Sequence, residues 1–168
     1  MKDDDIQAIN SEVTRLLTAV FGDISAIKLP LDLSRVLEYC GLTLREGTFE
    51  SEELAGALDR DGKTIFVESS DTYARKNFTI AHELGHFKLH KDMATDIFYR
   101  YQVNKPEDAD DMERELQANQ FAATLLMPEQ FIRQLWEVTK DIDKLAQIFG
   151  VSTEAMRRRL QSLRLVAD

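Results

Sequence analysis

FTIAHELGHFKLH, residues 78 to 90, carries all three of the chain's histidines, with a glutamate directly after the first. A helix turns each residue by about 100°, so His82 and His86, four apart, differ by only some 40° and project their rings to one side, within reach of a single metal ion. Glu83 lies about 60° round from His86. It is close to such an ion yet badly aligned to bind beside both rings, which is the placement of a base acting on a water at the metal. Phe78, Ile80, Ala81, Leu84 and Phe87 occupy the other faces, so most of this helix is expected to be buried. Burying His, Glu and His together is costly unless something pairs them. Zinc removes that cost, because neutral imidazole is a preferred ligand and catalytic zinc sites use three protein ligands and a water. Gly85 leaves room for another backbone or for substrate, at roughly 1 kcal/mol in helix propensity. The plain alternative is a surface helix that happens to spell this pattern; the apolar flanks make it awkward.

The third ligand has to come from elsewhere. His90 continues the four-residue spacing, but it stands about 12 Å along the axis from His82, whereas zinc–nitrogen bonds are near 2.0 Å. Its expected place is beside a liganding ring or at the helix end. A second helix, DMERELQANQFAATLLMP, offers Glu115 and Asn119 one turn apart, with Ala122 continuing a stripe of small groups and Phe121, Leu125 and Leu126 supplying core contacts. Packed on the histidine helix, it delivers a carboxylate to the two rings. Asn119 is then placed to hold one ring through its other nitrogen, as metal sites usually require. Glu113 competes as the carboxylate donor. It lies near the helix start, where acids such as Asp110 and Asp111 are favoured by the helix dipole alone.

The 168-residue chain as a whole has room for one buried core. Ile6, Ile9, Val13, Leu16, Leu17 and Val20 mark an amphipathic helix ending near Gly22, and LDLSRVLEYCG a second. LTLRE alternates as a strand, and residues 54–68 read as two strands around RDGK, with Asp-Gly supplying the positive φ of a tight turn. The histidine helix is expected to be capped near Asn77 or Thr79. Between Lys91 and Asp111 the periodicity fails, as in a functional loop or lid. Pro128 ends the Glu115 helix, and further helices cover 128–138 and 141–165. The expected fold is α+β and mostly helical. It has a small antiparallel sheet packed on the HExxH helix and the Glu-bearing helix, with a peptidase unit over 1–140 and a helix-turn-helix-like pair over 141–168.

With acids after Met1 and no long apolar run, the sequence carries no secretory or membrane-spanning signal, so a cytoplasmic location is expected. The lone Cys40 agrees with a reducing compartment and reads as a small hydrophobe at a helix end. A net charge of −9 argues against broad nucleic-acid binding. Residues 144–168 hold Lys144, Arg157, Arg158, Arg159 and Arg164 against Glu154 and Asp168. That is a modest basic patch, read as a packing or partner-docking element in preference to a DNA reader.

FTIAHELGHFKLH followed by ERELQANQFAATLLMP resembles the ImmA/IrrE family of zinc metallopeptidases, which pair an HExxH helix with a downstream E-x-x-A-N-x-F-A-A-x-L-L-M-P helix. The resemblance implies Zn2+ held by His82, His86 and Glu115, with Glu83 as general base. Related zinc peptidases with an E-x-x-A-D helix use the matching glutamate, which favours Glu115 over Glu113. It also implies a protein substrate: a DNA-binding repressor or antitoxin-like partner, commonly encoded nearby, whose cleavage switches on a mobile element, prophage genes or a stress response. Many members carry an added helix-turn-helix or sensor domain, for which this chain is too short. An oxyanion needs a second donor besides the metal; Tyr73, Arg75, Tyr99 and Tyr101 are the candidates. The competing readings are a noncatalytic zinc-containing partner-binding protein and a small transcription regulator. An intact Glu83 favours the enzyme, since a structural site has no use for a base.

Overall fold

The apolar steps of the N-terminal stretch become α1 (Asp3–Phe21), with Ile9, Val13, Leu16 and Leu17 buried. Its first turn holds Asp3, Asp4 and Asp5, where the helix dipole favours acids. α2 (Leu33–Cys40) starts at Asp32, whose Oδ1 accepts from Ser34 N at 3.1 Å. Cys40 closes it half-buried, and burial pushes its thiol pKa up. Then come β1 (Thr43–Gly47), β2 (Leu54–Asp59), β3 (Thr64–Glu68), α3 (Tyr73–Leu89), β4 (Thr95–Tyr99), α4 (Ala109–Leu126), α5 (Glu129–Thr139), α6 (Ile142–Phe149) and α7 (Thr153–Ser162). This computed structural model describes residues 1–91, the backbone of 95–99, and residues 109–167.

The architecture is the α+β one expected, with α3 packed between the sheet and α4. The sheet, in the order β1-β3-β2-β4, is mixed instead of wholly antiparallel. β2 pairs antiparallel with both β3 and β4, while β1 runs parallel to β3 with Thr43 opposite Thr64. The chain returns from β1 to β3 through β2, so the direction of β1 is set by tertiary packing that its own five exposed residues do not reveal. The RDGK turn is present, yet the positive φ falls on Lys63 (48°), not on Gly62. Lys63 N donates to Arg60 O and Gly62 N to Asp59 Oδ1, so the turn is four residues long and differs from a two-residue hairpin.

Two other expectations change. α3 begins a turn and a half earlier than expected, with Thr72 Oγ1 accepting from Arg75 N at 3.3 Å, and Asn77 and Thr79 are buried inside it. The segment from Lys91 to Asp111, expected as a loop or lid, contains strand β4, paired to β2 through a register shift between Leu54 and Gly56, and the first turn of α4; residues 92–94 and 100–108 fall outside the described residues.

The apolar core joins all layers: Val13 and Leu17 of α1, Leu58 and Ile65 of the sheet, Leu84 of α3 and Phe121 of α4 are all buried in it. Phe149 of α6 and Met156 and Leu160 of α7 belong to the same core. The helix-turn-helix turn is faced by α3, since Asn77 Nδ2 donates to Gly150 O at 3.0 Å and the Tyr73 ring sits against Gly150. Of the consecutive arginines, Arg159 points inward, its Nε donating to Met127 O at 3.1 Å. Arg158 is paired with Glu154 at 2.8 Å. The basic patch is therefore smaller than a count of arginines suggests.

Two glycines set how closely α3 is approached. A Cβ on Gly85 would stand 3.1 Å from Ala118 Cα and 3.2 Å from Ala118 O, so α4's backbone occupies the space that a side chain would need. On the opposite side a Cβ on Gly56 would collide with Thr79 Cγ2, and would lie 3.6 Å from Glu83 Oε1. Gly56→Ala is therefore expected to destabilise the protein by about 1–3 kcal/mol through overpacking, although alanine outranks glycine in a strand interior. The double variant with Thr79→Ser, which removes the colliding methyl, should recover most of that loss in urea or thermal unfolding.

Candidate metal centre

His82, Glu83 and His86 are fully buried and His90 is nearly so, as the apolar flanks of the quoted stretch required. His82 Nε2 and His86 Nε2 lie 3.0 Å apart. Glu115, reaching over from α4, places Oε2 3.4 Å from His82 Nε2 and Oε1 3.2 Å from His86 Nε2. Among the described residues these three form the group whose donor atoms fall within 4.8 Å of one another. Tetrahedral zinc with bonds of 2.0–2.1 Å separates its ligand atoms by roughly 3.3 Å. The observed separations match that edge, so the donor set fits the ion.

The carboxylate chemistry agrees. Burial pushes the pKa of Glu115 up, but the hydrogen bonds and charge of His82 and His86 outweigh burial and hold it well below the usual carboxylate range. It is a deprotonated donor facing two ring nitrogens. Its side chain is 36% exposed, leaving the cluster open on the carboxylate side. Glu113, two residues earlier on α4, is exposed and outside the cluster.

The far ring nitrogens are also held. Asn119 Oδ1 lies 3.0 Å from His82 Nδ1, and His90 Nδ1 lies 2.9 Å from His86 Nδ1. His90 closes α3, its amide donating to His86 O at 3.0 Å. It thus meets a ring of the cluster without joining the donor set.

Of the four candidate oxyanion donors, Tyr73 and Arg75 lie well along α3 from His82. Tyr73 and Arg75 stand on the first turns of α3, nine and seven residues before His82, or about 13 and 10 Å along the axis. Tyr73 is 59% exposed. Tyr99 is the last residue of β4, and its side chain, like all of Tyr101, lies outside the described residues.

Arg60 was read from sequence only as a turn residue. Its guanidinium donates to His86 O at 2.8 Å, Phe87 O at 3.0 Å and His90 O at 2.7 Å, satisfying the carbonyls that a helix end leaves open. Nothing local marks this role, because 26 residues separate Arg60 from His86. Gln117, whose Oε1 lies 2.9 Å from His90 Nε2, is likewise a contact that the helical stripe from Glu115 to Asn119 passes over.

A two-histidine, one-glutamate cluster on an HExxH helix and a following helix is the donor set of a metallopeptidase-like class of site. Residues 37–161 match the Peptidase_M78 family model, described as the IrrE N-terminal-like domain, and the chain belongs to this ImmA/IrrE family of metallopeptidases. The family implies a divalent metal. Immunity region protein 2 of Bacillus phage phi105, itself uncharacterised, is 30% identical over 99 residues, covering 57% of this chain and 58% of that protein. The radiation response metalloprotease IrrE of Deinococcus radiodurans is 34% identical over 84 residues, covering 49% of this chain and 24% of IrrE. The chain thus spans less than two thirds of either relative. A Mycobacterium tuberculosis transcriptional regulator shares the fold, with a TM-score of 0.65 over 92% of this chain and 46% of its own at 19% identity. Among the described residues no helix is long and apolar enough to cross a membrane.

Glu115→Gln keeps the shape but removes the charge. Metal affinity should fall by more than about 100-fold, since even contacts outside the ligands are worth roughly 10–100-fold. Elemental analysis after dialysis checks this; full occupancy in the variant would turn attention to Glu113.

Proposed function

We propose that this protein is a zinc-dependent endopeptidase acting in the cytoplasm on one specific protein, a DNA-binding repressor or antitoxin-like partner, and that cleavage controls a mobile element, a prophage or a stress response. The observation that carries the reading is the cluster of His82, His86 and Glu115 at tetrahedral spacing, with the buried Glu83 following His82 on the same helix. Membership of a metallopeptidase family supports the activity, and the names of the two relatives, an immunity region protein of a phage and a radiation response metalloprotease, support the kind of partner.

Zinc, when bound, supplies a Lewis acid that brings the pKa of a water near neutrality and polarises a peptide carbonyl. The chain's residues do the rest. His82, His86 and Glu115 hold the ion, while Asn119 and His90 fix the orientation of the two rings. Glu83 takes the proton of the attacking water and passes it to the leaving amine. Its carboxylate is buried on the side of Gly56, where a Cβ would stand 3.6 Å from Oε1. The open side of Glu115 admits the substrate chain. A noncatalytic zinc protein would need no acid in the position of Glu83.

Incubation with the repressor or antitoxin encoded beside the gene, with zinc and with chelator, should give discrete fragments by mass spectrometry only when zinc is present. Glu83→Gln should retain its metal and lose cleavage by at least about 100-fold, the lower range of what a positioned acid–base group contributes. Undiminished cleavage by that variant would remove Glu83 from the mechanism.

A further inference from the structure

His86 is the ring on which α3 and α4 meet. Its Nε2 faces His82 and Glu115, its Nδ1 lies 2.9 Å from His90 Nδ1, and His90 Nε2 lies 2.9 Å from Gln117 Oε1 on α4. A neutral imidazole donates from one nitrogen and accepts at the other, so the string Gln117–His90–His86 has two self-consistent polarities. In the first, Gln117 Oε1 accepts from His90 Nε2–H, His90 Nδ1 accepts from His86 Nδ1–H, and His86 Nε2 is left with a lone pair towards Glu115 and His82. In the second, the Gln117 amide is turned so that its NH2 donates to His90 Nε2. His90 Nδ1–H then donates to His86 Nδ1, and a hydrogen on His86 Nε2 blocks ligation. Only the first polarity makes a metal donor of His86.

The geometry points to Gln117 as a positioning residue that sets this polarity: through His90, its amide oxygen fixes the tautomer of His86, although Gln117 itself touches neither metal nor substrate. This rests on the metal-centre reading proposed above. The arrangement has a simpler counterpart on the other ring, where Asn119 Oδ1 meets His82 Nδ1 directly at 3.0 Å. α4 therefore supplies an amide oxygen to each liganding ring, once directly and once through an inserted imidazole. Arg60 makes the longer string dependable. By donating to both His86 O and His90 O, at 2.8 and 2.7 Å, it fastens the helical turn that sets the spacing of the two rings.

Tautomers are read directly by long-range 1H–15N correlation NMR of 15N-histidine protein, with zinc and after chelation, at about pH 8, above the ordinary histidine pKa of roughly 6.5. The parent chain should show His90 protonated on Nε2 in both states, and His86 on Nδ1 in the zinc form, where its Nε2 carries no hydrogen. Gln117→Met removes the acceptor at similar length; His90 should then populate both tautomers, and zinc should bind about 10–100-fold more weakly in a chelator competition. Gln117→Glu can only accept, and it should restore both the tautomers and the affinity. His90 carrying its hydrogen on Nδ1 in the parent overturns the proposal. So does Gln117→Met with unchanged tautomers and affinity, or a loss equal in Gln117→Met and Gln117→Glu, which would make Gln117 a packing residue only. Because the His90 tautomer is also read without metal, the two readings fail separately. Parent tautomers in a chain that takes no zinc sink the metal-centre reading alone, and tight zinc binding with the reversed tautomers sinks the string alone.

Discussion

The approach of α4 to α3 at Gly85 is the constraint on which the rest depends. With Ala118 Cα and O where a side chain of residue 85 would be, the two backbones are near enough for a glutamate of α4 to reach rings on α3. A side chain at residue 85 would hold α4 away and lengthen the 3.2 Å and 3.4 Å separations that make the cluster a plausible cage for a small ion. The glycine costs helix propensity, and burial of Phe121, Ala122 and Leu125 against α3 offsets it.

Around this contact the polar groups are arranged so that each ring is held from behind. A metal ligand that rotates freely loses its ion to entropy, whereas a ring anchored at its far nitrogen presents one lone pair in one direction. Asn119 does this for His82 and His90 for His86. On the sheet side Gly56 gives Thr79 and Glu83 their room, so the helix is fitted closely by α4 on one side and by the sheet on the other.

Much of this was legible in the sequence because it depends on helical periodicity. The four-residue step from His82 to His86, the matching step from Glu115 to Asn119, and the small residues between them are properties of two helices considered one at a time. What was not legible depends on partners far along the chain. The cap at Thr72 was missed because TYARKN has no apolar period and is ordered partly by the Gly150 turn. β4 was missed because its backbone hydrogen bonds are completed by β2, some 40 residues earlier by the register given, and the parallel direction of β1 follows from β3 lying beside it. The turn residues were recognised, but the left-handed backbone fell on Lys63, since the loop is longer than the Asp-Gly pair suggested. Arg60 and Gln117 carry no local mark at all, as each matters only through what the fold sets beside it.

The hydrogen bond from Asn77 to Gly150 O spans 73 residues, and it fastens the first part of the helix that ends in the histidines. Contacts so far apart in sequence form late, after the entropy of closing the intervening chain has been met. During synthesis the histidine helix emerges long before its N-terminal turns can be sealed, and Arg159 reaches Met127 O later still. A nascent chain halted before Gly150 therefore holds the HExxH sequence without the docked surface that steadies it. The surface on which the first turns of α3 rest is thus completed by residues that follow the histidines by 60 positions or more.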